Sequence, residues 1–424
     1  MKRWMAPAAL LFTVLGCGGA GEDANSNLPM NRRYASPAEV ERATKSLSQG
    51  RSARVPVAAN EFGFRLYAEL LKGDSDKNVF VSPASISTAL AMAYNGAGGS
   101  TKQAMMDALG FEGLSVEELN AAQKSLATVL SSPDPKVRLD IANSLWAKAG
   151  VEFKREFLSR VEESYGAKPT VLDFSSPDAA KTINDWVSQS TQEKIKGIVE
   201  KIESNTVMFL LNAVYFKGQW GEAFDPKKTE DREFTTFPGK KAKVPMMSRR
   251  DEFEYLQGEG FRSVRIPYGA GRVGLYLFLP DEGKTLKDFH KALNSKNWTK
   301  WMGGYKLLEG TVVMPKFKSE YKSVLNEPLS KLGMGVAFTD KADFSGMRDQ
   351  RDLYLQEVVH KTFVEVNEEG TEAAAVTEVK VGVTSAPAPK KEFLFVADKP
   401  FCYAIVDKTT GVILFLGAMG DPKT

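Results

Sequence analysis

The chain of 424 residues carries two histidines, His290 and His360, and two cysteines, Cys17 and Cys402. So few leave little room for histidine-based catalysis or metal binding. His360 stands in the apolar run 355–363, and no glycine-flanked elbow serine offers it a nucleophile. An imidazole there needs hydrogen-bond partners, as does Asn212 within Leu210-Leu211-Asn212-Ala213. The Gly96-Ala97-Gly98-Gly99 cluster lacks the spacing and the lysine of a phosphate loop and reads as a turn.

The more telling chemistry is conformational, in Glu368-Glu369-Gly370-Thr371-Glu372-Ala373-Ala374-Ala375-Val376-Thr377-Glu378-Val379-Lys380-Val381. From Thr371 one alternating face is Thr371, Ala373, Ala375, Thr377, Val379 and Val381, small or β-branched and uncharged. The other face carries Glu372, Glu378 and Lys380. Period-two alternation describes a half-buried strand. Three consecutive alanines, however, give a surface strand little reason to pair. Downstream, Thr384-Ser385-Ala386-Pro387-Ala388-Pro389-Lys390-Lys391 reads as loop, since two prolines remove donors and fix the backbone. Such a segment suits a loop in one state and a buried strand in another. Insertion of about a dozen residues into a sheet gains on the order of 0.5–1.5 kcal/mol net per hydrogen bond. One unpaired charge on the inward face would cost several kcal/mol. That face has none.

The elements around this switch must supply a sheet to receive it. Basic and acidic residues nearly balance, 56 against 53, so no basic field for nucleic acid is present. Residues 1–17 read as an export signal, with Lys2 and Arg3 before an apolar run too short to span a bilayer. The run ends in Thr13-Val14-Leu15-Gly16-Cys17, which resembles the cleavage box of bacterial lipoproteins, with Cys17 as the lipidated residue. The expected location is an outer-membrane lipoprotein or a secreted, extracellular protein. Cys402, in an apolar strand pattern, then has no disulfide partner. Residues 18–55 read as a flexible tether holding a short helix over 37–48, where Ser36-Pro37-Ala38-Glu39 forms a capping box. Residues 56–424 read as one domain.

Within it, helical stripes cover 60–71, 85–94, 101–109 and 116–130. Strand patterns follow at 207–216, 261–267, 273–279, 310–315, 358–366, 393–396, 401–407 and 412–417. Helices early and strands late, without β–α alternation, indicate an α+β domain with large antiparallel or mixed sheets.

Several stretches together resemble the serpins over the whole of this domain. They are Asn78-Val79-Phe80-Val81-Ser82-Pro83-Ala84-Ser85-Ile86-Ser87, Leu211-Asn212-Ala213-Val214-Tyr215-Phe216-Lys217-Gly218-Gln219-Trp220 and Val244-Pro245-Met246-Met247. Leu279-Pro280-Asp281, Asp343-Phe344-Ser345-Gly346, Val359-His360-Lys361, Lys399-Pro400-Phe401 and Phe415-Leu416-Gly417 follow in the family's order. The resemblance implies three β-sheets, about nine helices and an exposed reactive-centre loop from the hinge to roughly Glu392. It makes Glu368, Gly370, Thr371, Glu372, Ala373, Ala374 and Ala375 the hinge, of the inhibitory kind. Fourteen residues beyond the hinge glycine it places the scissile bond, Thr384-Ser385.

The resemblance also implies a mechanism without cofactor, metal or catalytic residue. A target serine protease attacks the loop of a monomer and is held as a covalent acyl-enzyme while the freed hinge inserts into the central sheet. Thr384 would suit an elastase-like or subtilisin-like pocket, whereas Lys380 and Lys390-Lys391 would attract trypsin-like enzymes. His360, Asn212, Ser82 and Ser85 correspond to the family's shutter, a polar cluster under the opening sheet. Trp220, Lys316 and Glu368 correspond to its breach, where insertion begins. The alternatives are a non-inhibitory serpin acting in binding or as a chaperone, and a secreted hydrolase.

Overall fold

The structure, a computed structural model, describes residues 35–74, 77–131, 134–167, 169–237, 239–371 and 392–423. Cys17, Glu372, Ala373, Ala374, Ala375, Thr384 and Ser385 lie outside the described residues.

Helices lead: α1 (Pro37–Leu47) behind its capping box, then α2 (Arg54–Gly73), α3 (Pro83–Tyr94), α4 (Gly99–Leu109) and α5 (Val116–Ser131) on the predicted apolar stripes, and α6 (Arg155–Tyr165) and α7 (Ala179–Ser190), which the sequence patterns do not mark. Threaded among them are β1 (Val79–Val81), β2 (Val137–Lys148) and β3 (Thr170–Leu172). The strand-rich part begins with β4 (Met208–Gln219), β5 (Glu230–Thr235), β6 (Lys241–Gln257), β7 (Phe261–Pro267) and β8 (Val273–Pro280). After α8 (Leu286–Ala292) and α9 (Ser295–Met302) come β9 (Lys306–Pro315), β10 (Phe317–Val324) and the four-residue α10 (Asn326–Leu329). Last are β11 (Glu357–Asn367), β12 (Gly370–Thr371), β13 (Phe393–Val396), β14 (Phe401–Asp407) and β15 (Ile413–Met419).

The central sheet has the order β10-β11-β12-β4-β2-β3. β11 runs antiparallel to β10 and pairs directly with β4, in parallel, from Glu357↔Phe209 to Phe363↔Tyr215. β4 alternates between two cores. Leu210, Val214 and Phe216 face the main core, whereas Phe209, Leu211, Ala213 and Tyr215 pack with Ile183 and Val187 of α7. Asn212 and His360 share the main-core face because residues opposite each other in a ladder point the same way.

The second sheet runs β1-β15-β14-β8-β7-β6-β9-β13, with β5 joined to β6. The resemblance implied three sheets; ladder pairing joins two of them, because β6 is one unbroken strand of 17 residues. It serves β5 near its start, β9 along its middle and β7 at residues 254–257. Among the described residues the α-helices number ten rather than nine.

The N-terminal segment differs from its expectation. Ser36 and Glu39 cap α1 reciprocally, and Ala43 and Leu47 are buried where α1 lies against α5. Residues 37–53 are therefore part of the folded body, not of a tether. An apolar stripe that contains only an alanine and a leucine is short for a sequence signal, yet sufficient to dock one face.

Candidate functional site

Below the middle of the central sheet, α3 presents its N-terminal turn to β11 and β4. His360 is fully buried, and its Nε2 accepts a hydrogen bond from the backbone N–H of Ser82 at 3.1 Å. Its Nδ1–H must then donate, and Asn212 Oδ1 lies 2.5 Å away. Asn212 Nδ2 donates to Ser85 Oγ at 2.5 Å and to Asn143 Oδ1 on the neighbouring β2. Ser82 Oγ donates to the Leu414 carbonyl at 2.6 Å.

The structure thus brings together His360, Asn212, Ser82 and Ser85, and adds Asn143. Burial holds the imidazole neutral by pushing its pKa down to about 3. Neither serine hydroxyl is paired with the ring, so the cluster lacks a nucleophile–base pair and serves to satisfy polar groups beneath a sheet. Asn143 escaped sequence reading because Asp140, Asn143 and Ser144 hide the strand alternation of β2.

At the upper end of the sheet the hinge turn is held by backbone contacts. Trp220 N–H donates to Glu369 O at 2.9 Å and Phe224 N–H to Glu368 O at 2.8 Å. The indole Nε1–H donates to Asn367 O at 2.9 Å. The Glu368 carboxylate takes Lys316 Nζ at 2.9 Å and Thr229 Oγ1 at 2.8 Å. Burial opposes its charge, but these hydrogen bonds prevail and hold the carboxyl below its ordinary pKa. Glu368 is 8% exposed, so this is not a solvated surface pair. Trp220, Lys316 and Glu368 are one cluster, with Thr229 as a member that sequence spacing does not reveal.

Beyond Asn367 the chain turns back as β12 and enters the sheet. Gly370 pairs with Asn367 and Gln219, and Thr371 with Val366 and Gly218. Only glycine fits at 370: its φ is +147°, and an added Cβ would lie 2.1 Å from the Gly218 carbonyl oxygen. Thr371 is fully buried, and its hydroxyl is 2.7 Å from Tyr268 Oη. Tyr268 stacks on Trp220 with ring centroids 4.4 Å apart. Two hinge residues thus already lie between β11 and β4, while lower down those strands still pair directly.

Comparison with known proteins agrees with this geometry. The family model described as Serpin (serine protease inhibitor) matches residues 57–422. An uncharacterised serpin-like protein of Thermococcus kodakarensis is 35% identical over 431 residues, covering 99% of this chain and 100% of that protein. The leukocyte elastase inhibitor of Bos taurus is 36% identical over 381 residues, 87% of this chain and 100% of that protein. The structure of human thyroxine-binding globulin superposes with a TM-score of 0.81 at 30% identity, covering 88% of this chain and 100% of that one. The chain belongs to the serpin family.

Proposed function

We propose that this protein inhibits serine proteases by suicide trapping, with Thr384-Ser385 as the bond attacked and the hinge as the strand that inserts. The observation that carries this reading is the mouth of the central sheet, where Gly370 and Thr371 are already paired on both sides. In the inserted state that register, continued, would set Ala373 between Val364 and Phe216, Ala375 between Thr362 and Val214, and Thr377 between His360 and Asn212. Every inward residue is small and uncharged, as entry into the main core requires.

Insertion exchanges one parallel β4–β11 ladder for two antiparallel ones, a net gain of hydrogen bonds. The shutter must part to admit Thr377, whose hydroxyl offers both a donor and an acceptor to the separated pair. The similarity to the leukocyte elastase inhibitor supports an elastase-like target, which agrees with a small β-branched residue at the bond. Similarity to thyroxine-binding globulin supports the other reading, a non-inhibitory binding protein.

A denaturing gel after mixing with an elastase-type protease separates them. Trapping gives a covalent band near the sum of the two masses, and the nicked protein melts well above the intact one. Cleavage without that band, or no rise in melting temperature, rejects trapping.

A further inference from the structure

The hinge mouth is propped from the side by the hairpin that joins β7 to β8. This hairpin belongs to the second sheet, which loop insertion leaves intact. At its base Arg272 is anchored twice, to the buried Asp407 carboxylate at 2.7 Å and to the Val129 carbonyl at the end of α5 at 2.9 Å. At its tip Ala270 N–H donates to Asp134 Oδ2 at 2.8 Å. Asp134 Oδ1 meanwhile accepts from Lys136 N–H at 2.8 Å, just before β2.

The carboxylate lies flat on Gly269, where φ is +50° and any Cβ would be 2.1 Å from Asp134 Oδ1. The same tip grips the upper end of β4: Gly269 N–H donates to Gln219 O and Gly221 N–H to Pro267 O, both at 2.9 Å. Tyr268 reaches past Trp220 to the Thr371 hydroxyl. One five-residue tip therefore holds β4, the start of β2 and the hinge at once.

We propose that this hairpin is a wedge that keeps β4 parted from β11 at the mouth, with Asp134 and Tyr268 as the positioning residues that set the speed of insertion. The register it holds, Thr371 opposite Val366 and Gly218, is the register of the extended strand, so nothing here must break for insertion to proceed. A mouth already open and aligned removes the slow first step, as preorganisation does in any association. Insertion competes with deacylation of the protease, so a slower mouth releases more enzyme as cleaved inhibitor.

This inference rests on the trapping mechanism proposed above. Asp134→Ala and Tyr268→Phe are each expected to raise the stoichiometry of inhibition of an elastase about five-fold, the effect of the one hydrogen bond that each removes from the hairpin tip. The rate at which the protease first cleaves the loop should stay unchanged. Asp134→Asn, whose amide oxygen still accepts from Ala270, should restore most of the lost efficiency. An unchanged stoichiometry, or a loss of stoichiometry and cleavage rate together, overturns the wedge.

A second measurement needs no protease: binding of a synthetic peptide of residues 373–384, followed by Trp220 fluorescence. Both variants should anneal it several-fold more slowly than the parent chain. Equal annealing rates overturn the wedge. Absence of a covalent complex with unaltered annealing differences overturns only the trapping reading.

Discussion

The mouth and the shutter are two stations on the same pair of strands, and they are in opposite conditions. At the mouth, β11 and β4 are already separated by Gly370 and Thr371. At the shutter they pair directly, His360 opposite Asn212, over a set of satisfied polar groups. The mouth is held by backbone bonds and aromatic stacking that the proposed insertion would preserve. The shutter is held by side-chain bonds that the proposed insertion would have to exchange. The proposed entry would therefore meet its side-chain exchange at the shutter, while the mouth would set its direction and how fast it begins.

A charge at the mouth should break this division most severely. Thr371 is fully buried against Val366, Gly218 and Tyr268, and no acidic group faces it among the contacts described. Thr371→Arg would place an unpaired guanidinium in the main core, a penalty of several kcal/mol. The hinge is expected to leave the sheet, turning the inhibitor into a substrate that an elastase cleaves without a covalent band. Retained trapping at normal stoichiometry would mean that Thr371 does not enter the core.

Acid should act at the shutter instead. The partners of His360 are all neutral, and its Nε2 faces a backbone N–H, so a proton on that nitrogen has nowhere to go. Its folded pKa of about 3 lies below the ordinary 6.5, so the unfolded chain binds the proton first. The contribution is complete above pH 6.5 and is lost progressively as pH falls from there toward 3. At pH 5 the loss is about 2 kcal/mol. His290, half-buried beside Tyr67 and pushed down to about 4, adds a loss of the same sign. Denaturant unfolding at pH 8 and pH 5 should therefore show a smaller difference in His360→Gln than in the parent chain. The same difference in both would remove His360 from the acid response.

Much of this contrast was legible in the residues. The limits of β7, β13 and β14 match their sequence patterns: β13 and β14 are apolar runs, and β7 ends at Pro267 just before the Tyr268-Gly269 turn. The family resemblance singled out His360, Asn212, Ser82 and Ser85, and Trp220, Lys316 and Glu368, and each set lies together in the structure. What stayed hidden depends on long-range pairing. Tyr268 and Asp134 lie far from residue 371 in sequence and meet the hinge region only through the β7–β8 hairpin. Thr229 carries no pattern at all. β10 alternates plainly, with Phe317, Ser319 and Tyr321 buried between charged neighbours, the pattern of a half-buried strand. β6 was obscured by Arg249, Arg250, Asp251 and Glu252, a charged run within a strand.

The smallest expected effect sharpens the mouth rather than breaking it. Glu368 and Lys316 form an ion pair in which the lysine is about one-third exposed, so water screens part of their attraction. Lys316→Met removes the cation but leaves Thr229 donating to the carboxylate at 2.8 Å. The hinge turn also keeps its backbone bonds from Trp220 and Phe224. Loss of about 1 kcal/mol or less of native stability follows. The proposed insertion would not require this pair to move, so stoichiometry of inhibition should change little while the melting temperature of the intact protein falls by about a degree. If trapping efficiency fell as far as with Asp134→Ala, the ion pair would share control of entry with the hairpin, against the division drawn above.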